Sequence, residues 1–240
     1  AVDITAGSLI LSAGVAIGSN ANALETGVGN LSAKSTSGGT WLAESDAVTV
    51  TNLSLSVNRV GGSGQSTVTD ADTQEDLVSG AELVLVSGGA LTVNGGTNAS
   101  GVNAAGNVLL QTNSGDINLN ATLLSIAGNV SINAVTGSIV LAATGDLSTQ
   151  GAGKTIDLLA GGSITMADGT LVSSTDGNVR VQAINGDVTV GEIAAGTATV
   201  AVLASGSVLD LGDSGAVDIT AGSLILSAGV AIGSNANALE

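Results

Sequence analysis

The sequence predicts an all-β protein built as a parallel β-solenoid (β-helix), with coils of about 20–25 residues stacked on one another. Three observations predict this fold. A short glycine-led strand unit recurs along the chain, the units are spaced regularly, and Trp41 is the only aromatic residue. Ordinary cores rely on aromatic side chains for large buried areas. This chain must instead fill a narrow interior with Val, Ile, Leu and Ala.

The recurring unit is a glycine, a small polar residue and an apolar–x–apolar triplet. It indicates a turn followed by a short strand whose alternate side chains point inward. Glycine permits the tight corner, and Asn, Asp or Ser satisfies the backbone groups of the turn. The units are Gly106–Leu110, Gly115–Leu119, Gly128–Ile132, Gly137–Leu141, Gly162–Met166, Gly177–Val181, Gly186–Val190, Gly206–Asp210 and Gly222–Leu226.

The spacing of the units gives the length of a coil. The glycines form close pairs, Gly106 with Gly115 and Gly128 with Gly137. The interval from Gly106 to Gly128 predicts a coil of about 22 residues. The alternation then predicts which side chains point outward, namely Asn118, Ser131, Arg180 and Thr189. The side chains predicted to be buried are Ile117, Leu119, Val130, Ile132, Ile139, Leu141, Val179, Val181, Val188 and Val190.

The region from Trp41 to Gly101 is less regular. Residues 47–60 are rich in strand-forming residues, whereas residues 61–80 hold almost no apolar side chains. We therefore expect residues 61–80 to form an inserted acidic loop that protrudes between coils, and the ladder to resume at Glu82.

The chain begins and ends with the same sequence, because residues 1–25 are identical to residues 216–240. This predicts that residues 1–240 are one continuous solenoid window, in which residues 1–215 are one repeat and residues 216–240 open the next copy. In the intact molecule, where each copy would be continuous with a neighbouring repeat, we expect both copies of the shared segment to adopt the same conformation. The alternative architecture is a series of tandem immunoglobulin-like β-sandwiches, which the absence of Pro, Phe and Tyr disfavours.

The charge balance excludes some classes of partner. Twenty acidic residues face only four basic ones, a formal net charge of −16. Nucleic acid and anionic membrane surfaces are therefore disfavoured, because both need clustered Lys and Arg. The sequence has no apolar run long enough for a membrane-spanning helix.

Catalytic chemistry is not expected from this composition. The chain has neither His nor Cys, so imidazole and thiolate catalysis are excluded. A polysaccharide-processing β-helix enzyme that uses carboxylate pairs is the alternative, but basic and aromatic residues for holding a sugar are scarce. Gly151–Thr155 (GAGKT) resembles the end of a phosphate-binding loop, yet Ser148 replaces the required glycine, which favours a simple turn.

Four carboxylates occur close together in the predicted loop, at Asp70, Asp72, Glu75 and Asp76. Ca²⁺ prefers several oxygen ligands from one loop, so these residues are a candidate calcium site. A solvated acidic loop that keeps an apolar fibre soluble is the alternative. No other cofactor is expected. Trp41 is interpreted as a packing residue near an irregular coil rather than a binding contact.

The Gly-x-(Leu/Ile/Val)-x-(Leu/Ile/Val) units resemble the coils of filamentous-haemagglutinin-like exoproteins and of giant bacterial repeat proteins. The resemblance covers residues 81–240 and 1–33. It implies a right-handed, secreted β-helix that forms a filament, stalk or spacer at the cell surface, with adjacent identical repeats as partners end to end. Neighbouring filaments and cell-surface glycans are further partners to consider. The alternative function is an adhesin that binds carbohydrate or a neighbouring cell through inserted loops.

Overall fold

The computed structural model describes residues 1–64, 67–212, 217–234 and 238–239. Over these residues the chain forms 26 strands and no helix. Twenty-four strands belong to one parallel sheet that coils into a solenoid of about nine turns, and two form a separate antiparallel hairpin. The all-β parallel solenoid predicted from the sequence is confirmed.

The strands in chain order are β1 (Ile4–Ala13), β2 (Leu24–Ser35), β3 (Thr40–Glu44), β4 (Val48–Val50), β5 (Leu53–Val60), β6 (Thr67–Gln74), β7 (Leu77–Ser79), β8 (Leu83–Ser87), β9 (Leu91–Val93), β10 (Ser100–Ala104), β11 (Val108–Thr112), β12 (Ile117–Leu119), β13 (Thr122–Ser125), β14 (Val130–Ala134), β15 (Ile139–Leu141), β16 (Leu147–Thr149), β17 (Ile156–Ala160), β18 (Ile164–Met166), β19 (Leu171–Ser174), β20 (Val179–Ala183), β21 (Val188–Val190), β22 (Glu192–Ala194), β23 (Thr199–Ala204), β24 (Val208–Asp210), β25 (Ile219–Thr220) and β26 (Ser223–Ala228).

Most coils contribute one strand to each of three faces of the solenoid. On each face the equivalent strands of successive coils pair with one another and form a column. The first face consists of β3, β8, β11, β14, β17, β20, β23 and β26. The second face consists of β4, β9, β12, β15, β18, β21 and β24. The third face consists of β7, β10, β13, β16, β19, β22 and β25. The long strand β2 pairs with the first strand of all three columns.

The length of a coil can be read from the register of the first face. The successive partners in one column are Val108, Val130, Ile156, Val179 and Val200. A coil in this part of the stack therefore takes about 21–26 residues, close to the predicted length. Glycine marks the corners because neighbouring coils touch there. A Cβ on Gly128 would collide with the backbone N of Asn107, and one on Gly177 with the carbonyl O of Lys154.

The interior is the predicted stack of aliphatic side chains. All ten residues predicted to be buried lie in the core, each at most 1% exposed. Their neighbours Asn118, Ser131, Arg180 and Thr189 point outward and are partly or fully exposed. The predicted inside–outside register is therefore confirmed over these coils.

The insertion is a hairpin with different bounds from the predicted 61–80 loop. Among the described strands, β5 and β6 pair only with each other, from Leu53 opposite Gln74 to Val60 opposite Thr67. The chain is back in the solenoid at β7, from Leu77. The hairpin thus includes residues 53–60, which the sequence indicated were strand-forming but which the predicted loop did not include.

The two copies of the identical segment have similar local structure but different neighbouring strands, and their conformation in a longer array stays a prediction. In the first copy, β1 is continuous and pairs with β2, Ser8 with Asn30 through to Ala13 with Ser35. In the second copy, the strand is split into β25 and β26, and β26 pairs with β23, Ser223 with Thr199 through to Ala228 with Ala204. Each copy has a neighbouring coil on one side only: the first copy pairs with the coil that follows it, and the second copy pairs with the coil that precedes it. Residues 216, 235–237 and 240 of the second copy lie outside the described residues.

Candidate functional site

Polar side chains at the corners bind the coil that follows them. The Oδ1 of Asp116 accepts a hydrogen bond from the backbone N–H of Ser138 at 2.8 Å, and Asp187 does the same for Ser207 at 2.6 Å. At the next corner, Asn107 Oδ1 accepts from the backbone N–H of Asn129 at 2.8 Å. The sequence assigned such residues to their own turns. The structure shows that they join successive coils.

A buried carboxylate near the N-terminal coils is also structural. Glu44 is 4% exposed at the end of β3. Its carboxylate accepts hydrogen bonds from the Thr26 hydroxyl at 2.7 Å and from the backbone N–H groups of Val28 and Ser45 at 3.0 Å. Since β2 passes along the sheet here without a regular corner, Glu44 satisfies a backbone donor that would otherwise be buried alone.

The structure divides the four carboxylates of the candidate calcium site into two pairs, Asp70 and Asp72 on the hairpin and Glu75 and Asp76 beside the segment from Gly96 to Ser100. Asp70 forms an ion pair with Arg59 at 2.5 Å on the hairpin, where Asp72 is paired with Leu55. Glu75 accepts hydrogen bonds from the backbone N–H and the hydroxyl of Thr97, at 2.5 and 3.0 Å.

The fourth carboxylate, Asp76, lies at the base of the hairpin. It is 3% exposed, has a φ of 68°, and its Oδ1 has no hydrogen-bond partner among the described residues. Burial, and then the charge of Glu75, raise the pKa of this carboxyl group, while hydrogen bonds with Asn98, Gly96 and Ser100 oppose the rise.

Metal-binding geometry is not formed in the described part of the chain. No group of three or more His, Cys, Asp or Glu side chains is placed there to hold a metal ion. A small cavity of about 30 Å³ has Asp168, Glu192, Asp210 and Asp218 among its lining residues. Neither the carboxylates around the hairpin nor those that line this cavity come together as a group of metal ligands in the described residues.

The GAGKT segment forms a turn, as the sequence favoured. The backbone N–H of Lys154 donates to the carbonyl of Gly151 at 3.1 Å, and Gly153 has a φ of 70°. Strand β17 follows, rather than the helix that a phosphate-binding loop requires.

The outer surface of the first face carries a feature that sequence reasoning missed. Trp41 lies between the buried residues Thr40 and Leu42 on β3, so its side chain points outward. Its register partner on the next coil is Val84, and the partner of Val84 is Leu109. These three half-buried side chains lie in a shallow depression of about 610 Å³. The signal that could have identified it is the alternation itself, because Trp41 is out of phase with the inward-facing residues.

Comparisons with protein-family models, curated proteins and solved structures give no match to this chain. Within the described ranges no helix is long and apolar enough to cross a membrane. What the structure establishes is therefore a parallel β-solenoid with an inserted hairpin and a patterned outer surface.

Proposed function

We propose that this chain is a structural segment of a much larger tandem-repeat protein, in which successive repeats continue one solenoid as an extracellular filament, stalk or spacer. The observation that carries the proposal is the pairing of the duplicated strand. The same segment, SLILSA, is β26 in one copy and the second half of β1 in the other.

The two copies use opposite edges of that strand. β26 pairs with β23, which precedes it in the chain, and β1 pairs with β2, which follows it. In a solenoid the preceding and following coils lie on opposite sides of a strand. The two pairings therefore use different backbone groups, and together they give the shared strand a neighbour on each side. Their positions around the axis differ, because β26 lies on the first face, whereas the end of β1 lies over the residues of β2 that pair with the second and third faces.

The length of the coils at both ends agrees with a continuous ladder. The step from Val200 to its partner Leu224 is one coil, and so is the step from Leu9 to its partner Leu31. Each step takes about 20–25 residues, as do the coils in the regular part of the stack. A repeat junction can thus be spanned by coils of ordinary length.

The last described coil presents the apolar interior that a following repeat would cover. Leu224 is 47% and Ile232 is 50% exposed there. An uncovered strand edge is a template for further pairing. Because residues 1–25 and 216–240 are identical, the exposed strand edge at the end of one repeat has the same sequence as the strand that begins the next repeat.

The cell-surface location rests on the resemblance to haemagglutinin-like exoproteins and on composition. Four basic residues and one aromatic residue leave few sites for common proteases. Labelling of intact, non-permeabilised source cells with antibody against this repeat, followed by electron microscopy, tests the proposal. We expect label along filaments outside the cell. Label found only after permeabilisation would contradict it.

The alternative function, adhesion through an inserted segment, would depend on the hairpin. The hairpin exposes Val57 and Val60, which are 62% and 70% exposed, and neither of its outer edges is paired with another described strand. Loss of adhesion on deletion of the hairpin from the native protein, with the filament still formed, would favour this alternative, whereas unchanged adhesion without the hairpin would contradict it.

A further inference from the structure

The outer surface of the first face combines apolar and amide-bearing side chains in one line. Trp41, Val84 and Leu109 occupy equivalent outward positions on three successive coils. Coils are spaced by about 4.8 Å, so the three form a narrow apolar stripe parallel to the solenoid axis. Ser131, the partner of Leu109, ends the stripe.

The tryptophan ring is held in place by a glycine. A Cβ on Gly39 would collide with the Cη2 of Trp41 and would lie 2.6 Å from its Cζ3. The benzo part of the ring therefore lies directly against the backbone at Gly39, while Trp41 remains partly exposed. The core of this protein contains no aromatic residue, and its single indole belongs to the outer surface.

Polar groups border the stripe on one side. Glu82, Asn107 and Asn129 immediately precede β8, β11 and β14, and Asn20 completes the border. The corner ladder fixes two of these side chains, since Asn107 Oδ1 accepts hydrogen bonds from both the backbone N–H and the Nδ2 of Asn129, at 2.8 and 3.2 Å. Of the described groups on this border, the Nδ2 of Asn107, the carboxylate of Glu82 and the side-chain amide of Asn20 remain to bind a ligand.

We propose that this stripe is a binding site for a neutral saccharide chain that lies along the solenoid axis. Sugar rings present an apolar C–H face and a rim of hydroxyl groups. The Trp41, Val84 and Leu109 stripe matches the first, and the amide and carboxylate border matches the second. This site is independent of the proposed filament role and lies on the sheet rather than on the inserted hairpin.

Two other occupants fit less well. A second copy of the chain would need about 1,000 Å² or more of buried surface for a stable interface, and three half-buried apolar side chains fall short of that. A polyanion would meet Glu82 on a chain of net charge −16. The nearest cation along the same column, Arg180, is already bound to Asp157 through two hydrogen bonds of 2.7 and 2.8 Å.

The only aromatic residue of the chain is also the reporter for the test. Tryptophan emission and its quenching by acrylamide would be measured on the 240-residue chain with cellohexaose, maltohexaose, mannohexaose and chitohexaose, and with a heparin hexasaccharide as the anionic comparison. We expect at least one neutral hexasaccharide to shift the emission and protect Trp41 from quenching, saturating in the millimolar range or below. No response to any neutral probe, or a preference for heparin, would overturn the proposal.

Two matched lysine substitutions test whether the saccharide binds at the stripe. Val84→Lys puts a charge in the stripe at an outward position and should weaken binding at least about tenfold. Thr92→Lys also introduces a lysine, at the outward position of β9 on the second face of the same coil, and should leave binding unchanged. Circular dichroism checks that both variants fold. Equal binding by the two variants, or equal loss, would contradict the assignment. Self-association of the unmodified chain without saccharide, seen by sedimentation and abolished by Val84→Lys, would contradict it as well.

Discussion

The carboxylate of Asp187 accepts a 2.6 Å hydrogen bond from the backbone N–H of Ser207, which lies one coil further along the stack. The same column continues in the other direction, where Ser207 and Ser163 flank Asp187 as its neighbours on adjacent coils. Corner side chains therefore hold coils together in addition to the parallel ladder of the strands.

Removal of this acceptor should weaken the stack locally. We expect Asp187→Ala to lower the free energy of unfolding by about 1 kcal/mol, because the Ser207 amide loses its protein partner. Asp187→Asn keeps an acceptor oxygen, as Asn107 and Asn129 do at the neighbouring corner, and should retain most of the stability. Urea denaturation followed by circular dichroism measures both. Equal losses in the two variants would show that the carbonyl-type acceptor is not what matters.

A charge placed inside a coil should cost far more than one placed outside. Ile139→Asp buries a carboxylate at a position that is fully covered, and we expect a loss of about 3 kcal/mol or more. Val140→Asp makes a similar change at the next, outward-facing residue and should alter stability by about 0.5 kcal/mol or less. Thermal and urea unfolding of the two variants provide the comparison. A reversed order would mean that the register is wrong by one residue.

The hairpin should be dispensable for the solenoid. Its strands pair only with each other among the described strands, and Leu53 and Gln74 are opposite each other at its base. Replacing residues 54–73 with Asn-Gly gives a tight turn between these partners and retains the hydrogen bond from Gln74 Nε2 to the Leu11 carbonyl. We expect an unchanged β-type spectrum and cooperative unfolding. Loss of cooperativity would show that the insertion helps to fold the stack.

The pH dependence of stability should carry a contribution from Asp76. Its folded-state pKa is raised above 3.8, so the folded chain binds this proton more tightly than the unfolded chain does. The resulting stabilisation is fully present below pH 3.8 and is lost as pH rises through the raised folded value. Asp176 contributes to the pH dependence of stability over a lower pH range. Hydrogen bonds from Thr197 lower its pKa, so its contribution is present above pH 3.8 and is lost as pH falls through the lowered folded value.

Asp76→Asn isolates the first of these contributions. Unfolding free energies of the two proteins, measured from pH 3.8 to neutral, should differ by an amount that shifts in favour of the variant as pH rises. A difference that is constant with pH would show that Asp76 does not titrate in the folded chain over that range.

The regular coils could be predicted well from the sequence, because there each local rule agrees with the others. At Val188, Thr189 and Val190, a corner glycine, a polar cap and strict alternation all indicate the same register, and the structure has it. The alternation fails at Leu53–Val60. There LSLSV has the same pattern as a stacked strand, but its partner is β6 rather than a neighbouring coil. Alternation specifies which side chains share a face, not which strand lies beside them.

The site residues were harder to predict for a similar reason. Asp70, Asp72, Glu75 and Asp76 are close in sequence, yet the boundary between hairpin and stack falls among them. The first two lie on the hairpin and the last two beside the segment from Gly96 to Ser100. The two copies of SLILSA are both strands but pair with different neighbours, because the coil present beside each copy in this chain is different.

Cryo-electron microscopy of a recombinant concatemer of three copies of residues 1–215 tests the central claim most directly. Nine turns at about 4.8 Å give about 43 Å for the chain, so each added repeat should lengthen the particle by about 40 Å. We expect one straight rod in which the coil spacing continues through both junctions, with SLILSA paired on both edges. Separate bodies joined at variable angles, or a gap wider than one coil at each junction, would contradict the claim that the repeats form a single solenoid.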